Sequence, residues 1–370
     1  MGQKMKNVLI IIGKLTIGGA ERVGRDIGYY ADKQKYNIHY IVFVDDICDY
    51  EEELIGAGCM IHHIAPPSRG YIKYYKRLCN LIKKEHIDVI HSHTMFNSGW
   101  AMLAGKHQGV SIRISHSHSI KGPEHRGLIK NLYEKTMRRV IQHYATDYVA
   151  CGKGAGEWLY GKAFFEKHGT VIYNGIELKQ FIYNENSRNK IREHYAIQDK
   201  FVIGHVGHLA PVKNQKFLLD LMPEILEKRP ESILLLLGDG QDRHMIEEKI
   251  HTMGLENKVL LTGNVKNVGD YMSAMDVFVF PSLYEGMPLA MVEAQSNGLP
   301  CIISKNIPDD VYLTNLVSPL SLENSDEQWI DCITNTARKS PEIYGRKMYD
   351  LGFDTQGMLK KIYRLYESVK

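Results

Sequence analysis

Short runs of apolar, β-branched residues alternate along the chain with segments whose apolar positions recur every three or four residues. The runs are typical of buried strands and the recurring positions of amphipathic helices, so their alternation predicts βαβ units in a parallel sheet. In the first half, strands are predicted at 7–12, 38–44, 59–64, 88–92, 110–116, 147–151 and 170–173, and helices at 20–34, 71–85, 98–107 and 127–144.

The same alternation restarts after residue 200. Strands are predicted at 201–206, 232–237, 258–261, 276–280 and 300–303, and helices at 214–228, 242–253 and 287–297. Two successive alternations of this kind predict an α/β protein with two doubly wound, Rossmann-like domains.

The boundary between the two domains is predicted near the stretch VIYNGIELKQF, residues 171–181. A strand ends there in Asn-Gly, which is a strong turn signal, and a polar stretch follows to about residue 199. We therefore predict an N-terminal domain over residues 1–175, a C-terminal domain over 176–354 and a last helix over 355–370. This helix is expected to lie across the domain junction; the alternative is an ordinary terminal helix on the second domain.

Length and composition agree with this division. A chain of 370 residues is too long for one ordinary core, and its 44% apolar and 24% charged residues are typical of a soluble globular protein. The six cysteines form no CxxC pair and no zinc spacing, which indicates reduced thiols in a cytosolic protein. The apolar run at 6–12 is too short to span a bilayer and follows no signal-peptide pattern. We expect a cytoplasmic protein.

The net charge of +3 conceals an asymmetry between the halves. Residues 1–175 hold 24 Lys and Arg against 16 Asp and Glu, a balance of +8, and the remainder holds 22 against 27, a balance of −5. Two basic helical segments, 71–86 and 127–143, also carry aromatic residues. They are either solvated helix faces or helices that lie on an anionic membrane, which would place the protein peripherally on the cytoplasmic membrane face. Nucleic-acid binding is not expected, because no recognisable module is present.

Two glycine-rich turns follow predicted strands. Gly18 and Gly19 lie between the first strand and the first helix, where a ligand can approach the backbone and a helix N-terminus favours anions. Gly238 and Gly240 follow a buried strand, and their missing side chains would let a nucleotide lie against the backbone. The first turn lacks the GxGxxG spacing of a dinucleotide site, and both kinds of turn also occur without a binding role.

Two pairs of histidines stand at the ends of predicted strands. His91 and His93 end one strand, and His116 and His118 end the next. Residues i and i+2 of a strand share a face, so each pair can point to the ligand side of a parallel sheet. Three interpretations remain open: a zinc site, one or two hydrogen bonds to a substrate, or plain packing and capping for at least two of the four. The metal interpretation is the weaker, because no Cys or carboxylate accompanies the pairs.

Charged residues follow two strands of the second half. Lys213 and Asn214 open a helix, and a lysine there would place a point charge beside a diphosphate. Glu285 lies in a loop before Pro288, which suits a first helical turn, and Glu293 lies inside that helix. The two glutamates are too far apart to bind one atom, but they can hold two ends of an extended ligand. The alternative is a surface lysine, a capping Glu and a solvent-facing Glu.

Together these segments resemble glycosyltransferase family 4, whose members have the two-domain GT-B fold, and in particular bacterial enzymes of exopolysaccharide and capsule synthesis. The segments that carry the resemblance are GGAE at 18–21, HSHS at 116–119, YNGIE at the domain hinge, VGHLAPVKN at 206–214, LLLGDG at 235–240 and FPSLYEGMPLAMVEA at 280–294. The resemblance covers nearly the whole chain, and it implies two Rossmann-like domains with a crevice between them.

The resemblance also implies roles for single residues. Glu285 would contact the hydroxyls of the donor sugar, beside backbone N–H groups of Gly286 and Met287. Glu293 would accept hydrogen bonds from the ribose, and Lys213 would neutralise the diphosphate. The implied donor-binding set is Gly18, Gly19, His208, Lys213, Asn214, Gly238, Gly240, Glu285, Gly286, Met287, Pro288, Leu289 and Glu293, and the implied catalytic set is His118, His116, Lys213 and Glu285.

A histidine of HSHS would hydrogen-bond the sugar near the reacting carbon, with His118 the first choice and His116 the second. One departure is His208, which stands where such enzymes usually carry arginine, so that a group largely neutral near pH 7 replaces a fixed cation. No Asp-x-Asp motif is present. Neither a metal ion nor another cofactor is therefore expected.

The implied reaction is transfer of a sugar from a nucleotide-sugar, with UDP the expected nucleotide. The acceptor is expected to be a polyprenyl-diphosphate-linked saccharide, and the anomeric configuration to be retained without a clear protein nucleophile. A sugar-nucleotide epimerase of the same fold is the alternative enzyme class. A non-catalytic nucleotide-sugar binder is disfavoured by the intact set of Lys213, Glu285 and Glu293.

Overall fold

A computed structural model describes residues 5–16, 18–118 and 127–368. Ile17 of the first glycine-rich loop and Ser119 of the HSHS segment lie outside these residues. The chain forms two compact units. The first unit combines the chain up to Gly175 with the chain from Thr355 onward, and the second is the continuous segment Ile176–Asp354.

The first unit is a seven-stranded sheet in which all neighbouring strands are parallel, in the order β3-β2-β1-β4-β5-β6-β7. Its strands are β1 (Lys6–Ile11), β2 (Tyr36–Val42), β3 (Met60–His63), β4 (Val89–Ser92), β5 (Ile112–Ser117), β6 (Asp147–Ala150) and β7 (Gly169–Val171). Its helices are α1 (Gly19–Tyr29), α2 (Glu51–Gly56), α3 (Tyr71–Lys84), α4 (Ser98–His107), α5 (Leu128–Tyr144), α6 (Lys153–Tyr160), α7 (Lys162–His168) and, at the end of the chain, α16 (Thr355–Glu367).

The last helix, α16, completes the core of the first unit. Met358, Leu359, Ile362 and Tyr366 are buried against apolar residues of the sheet, such as Ile10 of β1. These positions recur every three or four residues, which gives the helix one apolar face. That the helix also lies across the domain junction stays a prediction.

The second unit is a six-stranded parallel sheet in the order β10-β9-β8-β11-β12-β13. Its strands are β8 (Phe201–Val206), β9 (Ser232–Leu237), β10 (Val259–Gly263), β11 (Val277–Phe280), β12 (Cys301–Ser304) and β13 (Val317–Leu320). Its helices are α8 (Leu178–Phe181), α9 (Glu185–His194), α10 (Gln215–Lys228), α11 (Arg243–Thr252), α12 (Val268–Ala274), α13 (Leu289–Ser296), α14 (Asp326–Thr334) and α15 (Glu342–Asp350).

Continuous apolar runs form the central strands because helices cover both faces of a parallel sheet. All six residues of β9 are buried, and so are all four residues of β11. Among the helices of the described residues, none is both long enough and apolar enough to cross a membrane.

Each sheet reverses its strand order at one point. In the first unit the order runs outward from β1 on one side and from β4 on the other, and in the second unit it runs outward from β8 and β11. Ligands of open α/β sheets bind beyond the carboxyl ends of the strands at such switch points. The loops after these four strands are therefore where a ligand is expected to bind.

Candidate functional site

In the second unit, the loops after β8 and β11 are joined by an ion pair. The Nζ atom of Lys213 lies 2.6 Å from Oε1 of Glu285. Both side chains are largely withdrawn from solvent, with exposed fractions of 18% and 14%. The same Nζ lies 4.9 Å from the centre of the Phe280 ring, a cation–π distance. The structure thus brings together two predicted site residues that are 72 positions apart in the chain.

Two further hydrogen bonds connect the same loops. The backbone N–H of Leu283 donates to the carbonyl of Val212 at 2.8 Å, and the Asn214 side-chain amide donates to the carbonyl of Pro281 at 3.3 Å. Asn214 has left-handed backbone angles (φ 55°, ψ 38°), which asparagine tolerates better than most residues. The turn that presents Lys213 is therefore fixed by its own backbone and by the facing loop.

A buried glutamine supports this loop from the interior of the unit. The sequence motifs did not indicate this residue. Gln215 donates from its side-chain amide to the carbonyl of His208 at 3.0 Å, and the amide nitrogen lies 3.3 Å from Nε2 of His205. The Nδ1 atom of His205 lies 2.9 Å from the carbonyl of Val279, which can only accept, so Nδ1 carries the hydrogen and Nε2 accepts. The only sequence signal was a polar residue in the first turn of an amphipathic helix.

His208 itself is exposed at the start of this loop. The burial of the neighbouring His205 lowers its pKa to about 4, so that this ring stays neutral near pH 7. A predicted site residue thus lies at the surface of the loop, while an unpredicted histidine holds the loop from inside.

The glycines after β9 have a different structural reason from the one expected. A Cβ atom on Gly238 would overlap the carbonyl oxygen of Gly207, and one on Gly240 would overlap the carbonyl oxygen of Leu209. Gly238 also has φ +130°, a conformation that L side chains rarely adopt. Close packing of the two loops after β8 and β9 therefore requires these glycines. That they also face a nucleotide stays a prediction.

The segment after β11 continues from Glu285 into α13. Gly286 is half-buried, Met287 and Pro288 are buried, and the helix begins at Leu289, with Pro288 at its N-cap position. Glu293 is 8% exposed in a helix whose residues from 291 to 296 are all buried. A solvent-facing role for Glu293 is therefore excluded, since it lies in the interior of the unit.

In the first unit, the loop after β1 contains Gly18 and Gly19. Gly18 occupies the N-cap of α1, and its carbonyl accepts a hydrogen bond from the backbone N–H of Arg22 at 2.8 Å. A Cβ atom on Gly18 would overlap the carboxylate of Glu21, in the first turn of the same helix. The predicted glycine pair therefore lies at a helix N-terminus at the switch point, next to the strand that carries His91.

The four histidines at the carboxyl ends of β4 and β5 converge in one cluster, as period-2 alternation predicts. The Nε2 atom of His91 lies 3.1 Å from Nδ1 of His116, and Nδ1 of His93 lies 2.7 Å from Nε2 of His118. The rings of His116 and His118 stack with centroids 4.1 Å apart. His91 and His116 are fully buried, His93 is 7% exposed and His118 is half-buried.

Burial keeps this cluster neutral. It lowers the pKa of His91 to about 3 and that of His118 to about 4. It also lowers the pKa of His93 and of His116 well below the ordinary value, and repulsion from neighbouring rings adds to the effect. At neutral pH each ring therefore has one N–H donor and one bare nitrogen acceptor.

The cluster contains possible metal ligands. Within the described part of the chain, His91, His93 and His116 each offer a ring nitrogen, and these atoms lie within 4.8 Å of one another. His91 already uses both ring nitrogens, one toward His116 and one toward Tyr366. It would have to give up one of these bonds to bind an ion. The expectation of no metal therefore stays a prediction.

The chain is similar to known proteins over almost its whole length. Residues 17–180 match the family model described as Glycosyltransferase Family 4, and residues 187–330 match the model described as Glycosyl transferases group 1. Over 378 residues the chain is 33% identical to EpsF of Bacillus subtilis (strain 168), covering 99% of this chain and 98% of EpsF. The chain belongs to glycosyltransferase family 4. It is a glycosyltransferase, as the sequence motifs predicted.

Other relatives of this glycosyltransferase align over most of their length. The capsular polysaccharide biosynthesis glycosyltransferase CapH of Staphylococcus aureus is 27% identical, with 97% of this chain and 99% of CapH covered. The UDP-Gal:alpha-D-GlcNAc-diphosphoundecaprenol alpha-1,3-galactosyltransferase of Escherichia coli is 29% identical, with 84% of this chain and 82% of that protein covered.

Solved structures confirm the fold of this glycosyltransferase. Anabaena Alr3699/HepE, crystallised in complex with UDP, superposes with a TM-score of 0.82 at 21% identity, covering 99% of this chain and 100% of that one. Its complex with UDP-glucose gives a TM-score of 0.79 at 20% identity, with coverage of 98% and 100%. The enzyme has the GT-B fold, with two Rossmann-like α/β domains.

Proposed function

We propose that this glycosyltransferase takes its sugar from a UDP-sugar bound in the second unit, at the switch point between β8 and β11. The observation that carries this proposal is the ion pair of Lys213 and Glu285, which joins the loops after these two strands at 2.6 Å. A diphosphate needs a cation, and sugar hydroxyls need a carboxylate acceptor. The pair supplies both groups where a parallel sheet binds its ligands.

The surrounding residues support the assignment of a nucleotide-sugar. Glu293 is buried in the helix that follows the Glu285 loop, and it is the residue proposed to accept hydrogen bonds from the ribose. HepE, which shares the fold, is described in complexes with UDP and with UDP-glucose. The phosphate charge would be met by Lys213 and by backbone N–H groups rather than by a metal ion, as electrostatic stabilisation of the leaving group.

Thermal unfolding with a panel of nucleotides tests the donor. A ligand at 100 times its dissociation constant raises the free energy of unfolding by about 2.7 kcal/mol. We expect UDP or one UDP-sugar to raise the melting temperature, and the rise to be lost in Glu293→Ala and in Lys213→Ala. Lys228→Ala, which removes an exposed lysine of the same unit, is the matched control. If no nucleotide raises the melting temperature, the donor assignment fails.

We further propose a lipid-linked saccharide as the acceptor, in the synthesis of an exopolysaccharide or capsule, with retention of the anomeric configuration. The names of the relatives from Staphylococcus aureus and Escherichia coli support this assignment. The test is transfer of radiolabelled sugar to polyprenyl-diphosphate-linked saccharides, followed by assignment of the anomer by NMR. A product with inverted configuration contradicts retention, and conversion of the donor without any acceptor favours the epimerase.

An exposed apolar edge on the first unit supports peripheral membrane association. We define this edge by Ile72 at the start of α3 and by Leu128, Ile129 and Leu132 at the start of α5, with exposed fractions of 74%, 87%, 87% and 67%. The two helix starts are connected by Tyr71, whose ring lies 5.7 Å from that of Tyr133. Helix α5 buries only two of its 17 residues, Met137 and Ile141, so packing against the described residues of the unit does not explain its apolar tip.

Basic side chains lie on the same two helices as the apolar edge. They are Lys73, Lys76, Arg77, Lys135 and Arg139, and no ion pair is found for them in the described ranges of the chain. Aliphatic side chains that enter the acyl boundary, beside cations that meet lipid phosphates, are the features of a helix lying on an anionic bilayer. We propose that the apolar edge enters the cytoplasmic membrane face, where a lipid-linked acceptor is available.

Flotation with liposomes tests this placement. We expect the protein to float with vesicles containing phosphatidylglycerol at low salt, and much less with phosphatidylcholine alone. The double substitution Leu128→Ser with Ile129→Ser should abolish flotation, whereas Ile343→Ser with Tyr349→Ser, at exposed positions of the second unit, should not. Absence of flotation at low salt, or equal flotation of both variants, would contradict the role of the edge.

A further inference from the structure

We propose that Tyr366 of the last helix is a positioning residue that sets, through His91, which nitrogen of His116 carries the hydrogen. The chain of hydrogen bonds leaves Nε2 of His116 as an N–H donor directed at a ligand oxygen. This hydrogen-bond relay, Tyr366–His91–His116, follows from geometry within the first unit. Only the identity of the ligand rests on the proposed function.

The first step of the relay is fixed by Tyr366. Its side chain is completely buried, and its hydroxyl lies 2.8 Å from Nδ1 of His91, the one partner found for it within the described residues. A phenol always carries a hydrogen, and leaving that hydrogen unpaired in the interior costs free energy. Tyr366 therefore donates, and Nδ1 of His91 accepts.

The second step follows from the tautomer of His91. A neutral imidazole with a bare Nδ1 carries its hydrogen on Nε2. The Nε2 atom of His91 lies 3.1 Å from Nδ1 of His116, so His91 donates and His116 accepts at Nδ1. The hydrogen of His116 must then be on its Nε2. Each of these assignments requires a neutral ring with one N–H group. The lowered pKa values of both rings keep them neutral.

The relay ends at an atom without a partner. The Nε2 atom of His116 is buried, and no hydrogen bond is found for it within residues 5–16, 18–118 and 127–368. A buried N–H donor without a partner destabilises the protein unless an acceptor oxygen forms a hydrogen bond with it. Under the proposed function, that acceptor is a hydroxyl or phosphate oxygen of a substrate, because His91 and His116 lie in the last residues of β4 and β5, at the carboxyl ends of these strands.

The other histidine pair has no such anchor. His93 and His118 share the bond between Nδ1 and Nε2 at 2.7 Å, and Nε2 of His93 has no partner in the described residues. His118 also interacts with the side chain of Asn174, whose amide can either accept or donate a hydrogen bond, so the direction of the His93–His118 bond is not fixed. Of the two histidines expected at the reacting carbon, His116 is therefore the one whose donor position the protein fixes.

NMR of protein labelled with ¹⁵N in histidine tests the relay without any substrate. Resonances of His116 are assigned by their loss in His116→Gln. In the wild type, we expect a pyridine-type nitrogen at Nδ1 and a pyrrole-type nitrogen at Nε2. In Tyr366→Phe the direction of the His91–His116 bond is no longer fixed, and both nitrogens should move to averaged shifts.

Tyr363→Phe is the matched control. The hydroxyl of Tyr363, on the same helix, donates to the carbonyl of Ile27 at 2.8 Å and lies outside the relay. This variant loses a hydrogen bond of the same kind but should keep the His116 tautomer of the wild type. A pyrrole-type Nδ1 in the wild type, or an unchanged tautomer in Tyr366→Phe, overturns the relay.

Activity then separates the relay from the proposed function. We expect transfer by Tyr366→Phe to fall about tenfold, the effect of losing one well-placed hydrogen bond, with UDP affinity unchanged and Tyr363→Phe near the wild type. If the tautomer changes but transfer does not, Tyr366 still orients His116, and the role of that histidine in transfer is overturned. If transfer is absent from the wild type itself, the proposed function fails while the NMR result stands.

Discussion

The amino group of Lys213 and the carboxylate of Glu285 lie 2.6 Å apart, although they are expected to hold different parts of one donor. A diphosphate and a carboxylate then compete for the same ammonium group. Under the proposed function, donor binding would weaken this ion pair, and Glu285 would become more available to the sugar hydroxyls as the phosphate engages Lys213. Recognition of the sugar would then be coupled to recognition of the diphosphate.

Replacing Glu285 should separate these two kinds of recognition. In Glu285→Gln the lysine is freed for the diphosphate, and we expect UDP to bind up to about fivefold tighter, the range of a modest ion pair. Transfer should nevertheless fall strongly, because the sugar loses its carboxylate acceptor. Calorimetric titration with UDP and an assay of transfer measure the two effects.

The control for Glu285→Gln is Asp331→Asn, which breaks the exposed pair with Lys228 in the same unit. Asp331→Asn should change neither the affinity for UDP nor the rate of transfer. Weaker binding of UDP by Glu285→Gln would contradict the competition between carboxylate and phosphate.

The histidine cluster should make stability depend on pH. In the unfolded chain His91 takes up a proton below its ordinary pKa of 6.5, whereas in the folded protein it does so only near pH 3. Its contribution is therefore fully present above pH 6.5 and is lost as pH falls from 6.5 toward 3, by about 1.4 kcal/mol per pH unit for each such histidine.

Denaturant unfolding between pH 7 and pH 5 measures this dependence. His91→Gln should reduce the slope of the free energy of unfolding against pH by about the contribution of one buried histidine. His194→Gln, at an exposed position on α9, should leave the slope unchanged. Equal slopes in the wild type and in His91→Gln would show that His91 is not buried in its neutral form.

Gly238 should be far more sensitive to substitution than a glycine with open space around it. In Gly238→Ala the new methyl group overlaps the carbonyl of Gly207, and we expect a loss of about 2–4 kcal/mol. Gly254 also has a positive φ, but nothing lies within 4 Å of its Cβ position, so Gly254→Ala should lose only about 1 kcal/mol. Melting temperatures, read at about 2–4 °C per kcal/mol, compare the two. Similar losses would contradict the packing argument.

Most of the strands could be predicted because buried parallel strands are continuous apolar runs. One exception is β13, whose sequence VSPL contains Pro319. A proline argues against a strand, yet β13 is an edge strand that pairs only with β12, and a missing donor is tolerated there. Likewise α9 has a single buried residue, Arg192, so no apolar stripe reveals it. Its remaining signal is Asn184, whose side chain caps the helix by accepting from the backbone N–H of Ser187.

The candidate site could be predicted where a local rule applies. The convergence of the histidines follows from the alternation of side chains in a strand. The pairing of Lys213 with Glu285 and that of Tyr366 with His91 could not be predicted, because each joins segments that are distant in the chain and adjacent only in the folded protein. For Gly238 the sequence indicated that the absence of a side chain matters. Only the structure shows that the neighbouring loop leaves no space for one.

The position of α16 also determines when the first unit can finish folding during synthesis. The second unit is one continuous stretch of the chain and can form while the ribosome is still adding residues. The first unit, although made first, lacks part of its core until Met358, Leu359 and Ile362 emerge. The side chain of Lys6 donates to the carbonyl of Tyr366 at 2.6 Å, a contact between residues 360 positions apart. The residues of α16 must therefore be synthesised before the earliest strand of the first unit is fully covered, and until then part of its apolar surface is exposed.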